Sequence, residues 1–83
     1  MFLHLGDDFS IRVGEVISFH DYQGLSNVED GRKFLSNSKK IIEDVSGGKP
    51  KSVVVTDRVI YLSKLSAGTL KKRAGDFGFG MSL

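Results

Sequence analysis

The stretch 41–62, IIEDVSGGKPKSVVVTDRVIYL, constrains this chain more than any other. Three runs rich in β-branched residues (41–45, 52–55 and 59–62) are separated by two turn signals, SGGKPK and TDR. β-Branched side chains are stiff at χ1 and suit a pleated surface, so the spacing predicts three strands. The Val53-Val54-Val55 triplet lacks any alternation of apolar and polar residues. It therefore predicts burial on both faces, at the centre of a sheet or against an oligomer partner. Thr56, Asp57 and Arg58 predict a tight hairpin between the second and third runs. Taken as antiparallel strands in succession, the stretch puts Lys49 and Lys51 at one end of the sheet. Arg58 then lies at the other end, about 13 to 17 Å away at a rise of about 3.3 Å per residue. The third strand brings Lys64 back to the first end. Gly47 and Gly48 permit positive φ and expose backbone N–H groups, which suits the approach of a phosphate.

The flanking segments supply the remaining elements. Residues 2–5 have β propensity, Gly6, Asp7 and Asp8 form a turn cluster, and residues 9–13 alternate apolar and polar side chains as a half-buried strand does. After an interruption at Gly14 and Glu15, residues 16–20 resume as a strand, so the first 20 residues predict a small antiparallel meander. Residues 21–25 read as a connection. Ser26 and Glu29 match a capping box, predicting an amphipathic helix to about residue 38 with Val28, Gly31, Phe34 and Leu35 on one stripe. Gly31 costs that helix roughly 1 kcal/mol against alanine, which marks either a close helix–strand contact or an unselected position. Ser66 predicts the cap of a last helix, 67–73, with Leu65 and Leu70 as its hydrophobic staple, Lys71, Lys72 and Arg73 at its negative end, and Gly75 as its stop.

With 83 residues the chain has room for one domain, and a domain this small buries a modest share of its surface. It contains no cysteine, which removes disulfides and the strong zinc patterns and leaves oligomerisation as the available staple. No apolar run reaches about 18 residues and the first residues lack a basic region, so neither membrane span nor signal peptide is expected; a cytoplasmic protein is. The net charge of +2 is small but unevenly placed. Residues 1–48 carry five Lys/Arg against eight Asp/Glu, a net −3, whereas residues 49–73 carry seven against one, a net +6. Such asymmetry steers polyanions, and it is equally the mark of a solvated face.

Catalytic motifs fail on inspection. A phosphate-binding loop ending at Gly48-Lys49 would need glycine at Glu43 and a hydroxyl residue at Pro50. Asp76-Phe77-Gly78 spells a kinase triplet with no other kinase element around it. His4 and His20, with Asp7, Asp8 and Asp21 near them in sequence, lack a diagnostic metal spacing, and no nucleophile elbow surrounds any serine.

In order, Phe2-Leu3-His4-Leu5-Gly6, the Val16-Ile17 strand, the block DVSGGKPKSVVVTD at 44–57, Ile60-Tyr61-Leu62-Ser63 and Thr69-Leu70-Lys71-Lys72-Arg73 form a recognisable set. They resemble the RemA/RemB-like family of small bacterial extracellular-matrix regulatory proteins, closer to its RemB-like branch. The resemblance covers about residues 2–73, and block 44–57 is its most specific part. It implies a β-rich fold similar to LytTR-type DNA-binding domains, transcription regulation of biofilm-matrix genes, and a ring-like homo-oligomer around which DNA wraps. RemA-like proteins carry an arginine-rich turn that falls on Gly48, Lys49, Pro50 and Lys51, so the turn stays basic here but lacks guanidinium forks. A further basic residue of those proteins corresponds to Glu15, which repels a phosphate. Lysine supplies point charge without bidentate geometry.

The expectation is an α+β, antiparallel β-rich domain over residues 1–75, with about five or six strands, one amphipathic helix and a short C-terminal helix. Residues 76–83 are expected to form a flexible tail or an arm whose Phe77 and Phe79 dock on a neighbour. The expected function is that of a non-enzymatic regulator, acting as a homo-oligomer and contacting double-stranded DNA phosphates through Gly48, Lys49, Lys51 and Lys64. No metal, cofactor or small-molecule substrate is expected. The alternative is an oligomeric interaction or structural module of the same fold without DNA binding; a third reading is a ligand or metal binder through His4 and His20.

Overall fold

The computed structural model describes residues 1–6 and 8–76. Its elements are β1 (Phe2–His4), β2 (Ser10–Arg12), a 3-10 turn (Val13–Glu15), β3 (Val16–Asp21), α1 (Tyr22–Ser26) and α2 (Glu29–Asn37). They continue with β4 (Ile41–Asp44), β5 (Ser52–Thr56), β6 (Val59–Ser63) and α3 (Ala67–Gly75). The fold is α+β with six described strands, as expected, and the expected tail or arm at 76–83 lies, from residue 77 on, outside the described residues.

Every residue of β5 is buried, as the valine triplet demands. The strand lies inside a four-stranded sheet of order β3-β5-β6-β4 and divides two cores. On one face Val54 joins Leu3, Leu5, Ile11, Val16, Phe19 and Leu70, contributed by the β1–β2 hairpin, β3 and α3. On the other, Val53 and Val55 join Ile60, against which Tyr22, Leu25, Leu35 and Leu62 pack. Hairpin and α3 thus cover one face, and the α1–α2 pair covers the other. The β5–β6 turn is closed by Thr56, whose hydroxyl donates to the Val59 carbonyl at 2.6 Å and accepts from its N–H at 3.1 Å.

Strand adjacency differs from the expected succession. β4 does not pair with β5; it pairs in parallel with β6, with Ile41 opposite Val59 and Asp44 opposite Leu62. β5 has only two edges, and β3 occupies the one that β6 leaves, from Val16 opposite Thr56 to Asp21 opposite Ser52. β4 is left with the outer edge of β6. For the same reason the first 20 residues are not one meander: β1 and β2 pair antiparallel with each other, while β3 belongs to the large sheet.

The helical region also differs from expectation. Residues 22–26 are helical, capped by Asp21, whose carboxylate accepts from the Gly24 N–H at 2.7 Å. Ser26 is the last residue of that helix and donates to the Tyr22 carbonyl at 2.7 Å, so the capping box with Glu29 does not form. The cap position of α2 is Val28, without a side-chain hydrogen bond. Of the predicted stripe, Val28 and Phe34 are exposed and Leu35 packs. Gly31 is buried against α1 rather than a strand: a Cβ there would lie 1.8 Å from the Leu25 carbonyl oxygen. By contrast, Ser66 caps α3 as expected, accepting from the Thr69 N–H at 3.2 Å, and the helix runs on to Gly75.

Three substitutions test these contacts. Helix propensity alone would make Gly31→Ala stabilising by about 1 kcal/mol. The backbone collision reverses the sign, to a loss of about 3 kcal/mol and a melting temperature lower by at least about 12 °C in a circular dichroism melt. Ser66→Ala is expected to cost about 1 kcal/mol through the lost cap. Ser26→Ala, which removes no cap, is expected to stay within about 0.5 kcal/mol.

Candidate nucleic-acid interface

The C-terminal ends of β3, β4 and β6 and the N-terminal end of β5 all meet at one end of the sheet. The connection at 45–51 is therefore an arch: it leaves β4, passes the exit of β6 and enters β5. Its two feet are pinned by backbone bonds, from the Val45 N–H to the Leu62 carbonyl at 2.9 Å and from the Lys51 N–H to the Ser63 carbonyl at 2.8 Å. The Lys51 carbonyl also accepts from the Tyr22 N–H at 3.0 Å, tying the arch to the start of α1.

Between the feet, Gly47 and Gly48 take φ of 75° and 91°, the left-handed region that glycine enters without a Cβ penalty. The Asp44 carboxylate holds the entry to the turn, accepting from the Ser46 hydroxyl and, at 2.8 Å, from the Ser46 N–H. The Ser46 hydroxyl, then the Ser46 and Gly48 backbone, holds the Asp44 carboxyl below its ordinary range. A depressed carboxyl contributes above its unfolded-state pKa, so this restraint is complete at neutral pH and is lost only as pH falls through the lowered value.

Of the predicted contact residues, Lys49 and Lys51 are exposed on the arch with Gly48. Lys64 follows β6 directly and lines a shallow cleft with Phe9, Val45, Ser46 and Gly47. The structure brings these four residues to one end of the sheet. Lys71, Lys72 and Arg73 do not join them: α3 starts at that end and carries them five to seven residues away, about 7–11 Å along its axis. Sequence reasoning placed the start of α3 at Ser66 but did not count it as part of the site. Ser66 lines a cleft with Pro50 and Lys51, placing the positive end of a nine-residue helix beside the lysines. Its signal was the cap serine two residues after Lys64, a lysine that strand direction already places at this end. Asp8, Asp21 and Asp44 occupy the same end, so its charge is mixed.

Glu15 stands at the opposite end, lining a cleft of about 630 Å³ with Thr56, Asp57, Arg58 and Tyr61. β3 separates it from the arch by six residues, about 20 Å, which is more than twice the Debye length at physiological salt. Its charge is screened from a phosphate held at Lys49 or Lys51 of the same subunit. Burial, with Glu43 and Glu15 nearby, pushes the Tyr61 phenol above its ordinary range.

The histidines serve local contacts. His4 Nδ1 lies 2.8 Å from the Ser10 hydroxyl, and His20 Nε2 lies 2.9 Å from that of Ser18. Among the described residues, no three His, Cys, Asp or Glu side chains are grouped so as to hold a metal ion, and no helix is long and apolar enough to cross a membrane.

Comparison with known proteins gives the family. The RemA-like family, extracellular matrix regulatory protein A-like, matches residues 2–74. The extracellular matrix regulatory protein B of Bacillus subtilis (strain 168) is 40% identical over 75 residues, which span 89% of this chain and 90% of that protein. A match over nearly the whole described fold, with this identity across both chains, places the protein in the RemA-like family of extracellular matrix regulatory proteins.

Proposed function

We propose that this matrix-regulatory protein is a DNA-binding transcription regulator, acting as a homo-oligomer whose subunits touch the phosphate backbone through the 47–51 arch and Lys64. The observation that carries this reading is the convergence of Lys49, Lys51 and Lys64 at one sheet end, beside the positive terminus of α3. Two backbone positions of positive φ keep that surface free of side-chain bulk at Gly47 and Gly48. Lysines at such a surface meet phosphate as point charges and carry no base readout, so binding is largely indifferent to sequence. One subunit offers few contacts; repeating the arch around an oligomer multiplies a weak site into a useful affinity.

An interaction module without DNA binding is the second reading, and the carboxylates of Asp8, Asp21 and Asp44 at the same sheet end favour it. Fluorescence anisotropy on duplex DNA separates the two. With about two phosphates contacted per subunit, log K falls against log salt at a slope of about −1.8 for each engaged subunit. Lys49→Ala/Lys51→Ala is expected to flatten that slope by about 1 per lysine. Lys49→Arg/Lys51→Arg is expected to tighten binding by restoring forked geometry. Absence of binding at low salt selects the second reading, whereas binding untouched by the double alanine variant overturns the arch as the contact surface.

A further inference from the structure

β4 is the least covered strand of the sheet. All four of its residues are exposed, Ile41 at 67% and Ile42 at 43%. A parallel ladder uses both backbone groups of alternate residues. Since the N–H groups of Ile41 and Val45 turn toward β6, the N–H and carbonyl groups of Ile42 and Asp44 turn outward. An exposed edge of this kind, apolar at Ile41 and Ile42 and acidic at Glu43 and Asp44, is a template for a further strand.

The two faces beside that edge differ. On one, Ile42, Tyr22, Leu35 and Leu62 line a mainly apolar groove of about 390 Å³, which Ser26, Arg32 and Ser36 also line. On the other, Ile41 and Glu43 stand next to Val59 and Tyr61. An added strand fits both faces if its large apolar side chains fall on the groove side and its smallest fall beside Glu43.

Residues 77–83, outside the described residues, read FGFGMSL. Phe77, Phe79, Met81 and Leu83 occupy every second position, with Gly78, Gly80 and Ser82 between them. Period-two alternation gives one bulky face and one bare face to any strand this segment forms. We infer that the free edge of β4 receives residues 77–83 of a second copy of this chain as an added strand, with Phe77 and Phe79 seated in the groove between α2 and β4.

Geometry selects a second copy over the same chain. α3, which leads into the segment, packs against β1 and β3 on the face opposite the groove. β3 and β4 are opposite edges of the sheet, three strand spacings or roughly 14 Å apart. A chain leaving Asp76 would spend four or more residues, at up to about 3.6 Å each, to round the sheet, and both phenylalanines would be used in transit. Charge agrees with an antiparallel approach: Lys71, Lys72 and Arg73 precede the segment and would meet Glu43 and Asp44 at the end of β4. The inference is independent of the lysine arch, and the segment lies beyond residue 74, where the family match ends.

Because the chain has no cysteine, one introduced pair reports one contact. Full-length Ile42→Cys and Phe79→Cys chains, mixed equally and oxidised mildly, are expected to give a disulfide-linked heterodimer. Its yield should exceed at least about five-fold that of Phe79→Cys mixed with Ile17→Cys, a similarly exposed site on the opposite edge. Equal yields, or no heterodimer, overturn the inference, as does an internal link within monomers of the Ile42→Cys/Phe79→Cys double variant. A second measurement avoids cysteine. A peptide of residues 74–83 added to the full-length Phe77→Ser/Phe79→Ser protein is expected to shift amide resonances of Leu35, Ile42 and Asp44. Shifts centred elsewhere, or none, overturn the inference equally.

Discussion

Burial of Val53, Val54 and Val55 on both faces of one strand sets the plan of this fold. A chain of 83 residues has little apolar material to spend, and here it is laid in two layers against a single central strand. Leu3, Leu5 and Leu70 come from opposite ends of the described chain to cover Val54, while Leu25 and Leu35 cover the other side. The Ser63 hydroxyl adds a polar tie by donating to the Leu5 carbonyl, across 58 positions of sequence. Fully buried methyl groups on both sides of β5 leave it no freedom of register, since a one-residue slip would exchange the two cores.

That fixed register is what gives the basic arch its geometry. Lys51 precedes a strand that cannot slide, and Lys64 follows a strand paired to it residue by residue. The positive charge at this end combines side chains from two loops with the dipole of α3, so it is assembled by tertiary structure rather than by a local cluster. The acidic residue with the least favourable identity for a phosphate contact, Glu15, is removed to the far end by the length of β3. Asp44 stays close but is engaged, its carboxylate committed to the Ser46 N–H and hydroxyl.

Much of this was legible in the sequence where local signals agreed with one another. The β5–β6 hairpin, the cap at Ser66 and the two-sided burial of the valines rest on neighbouring residues, and all appear where the pattern puts them. Strand direction was legible too, because short connections force reversal. Adjacency was not: which strand takes the second edge of β5 is a competition between β3 and β4 that no local pattern decides. The Ser26–Glu29 box failed for a related reason. Asp21 offers an earlier cap, and the contact of Gly31 with the Leu25 backbone fixes a break between α1 and α2 at the position where the box would form. Lysine convergence survived the wrong adjacency because it depends only on which ends of the strands lie together.

The parallel pairing of β4 with β6 has a consequence for the order in which the molecule takes shape. β5 and β6 are joined by a turn of minimal length and can pair as soon as both exist, whereas β4 can dock only on a β6 that is already in place. The arch at 45–51 is a loose tether until that docking occurs, and it acquires its curvature in the same event. Since β4 is also the most exposed strand of the sheet and is held along one edge, few buried contacts oppose its detachment. The entry to the arch thus moves with β4 while Lys51 and Lys64 stay with β5 and β6, and anything that clamps β4 from outside also holds the arch in shape.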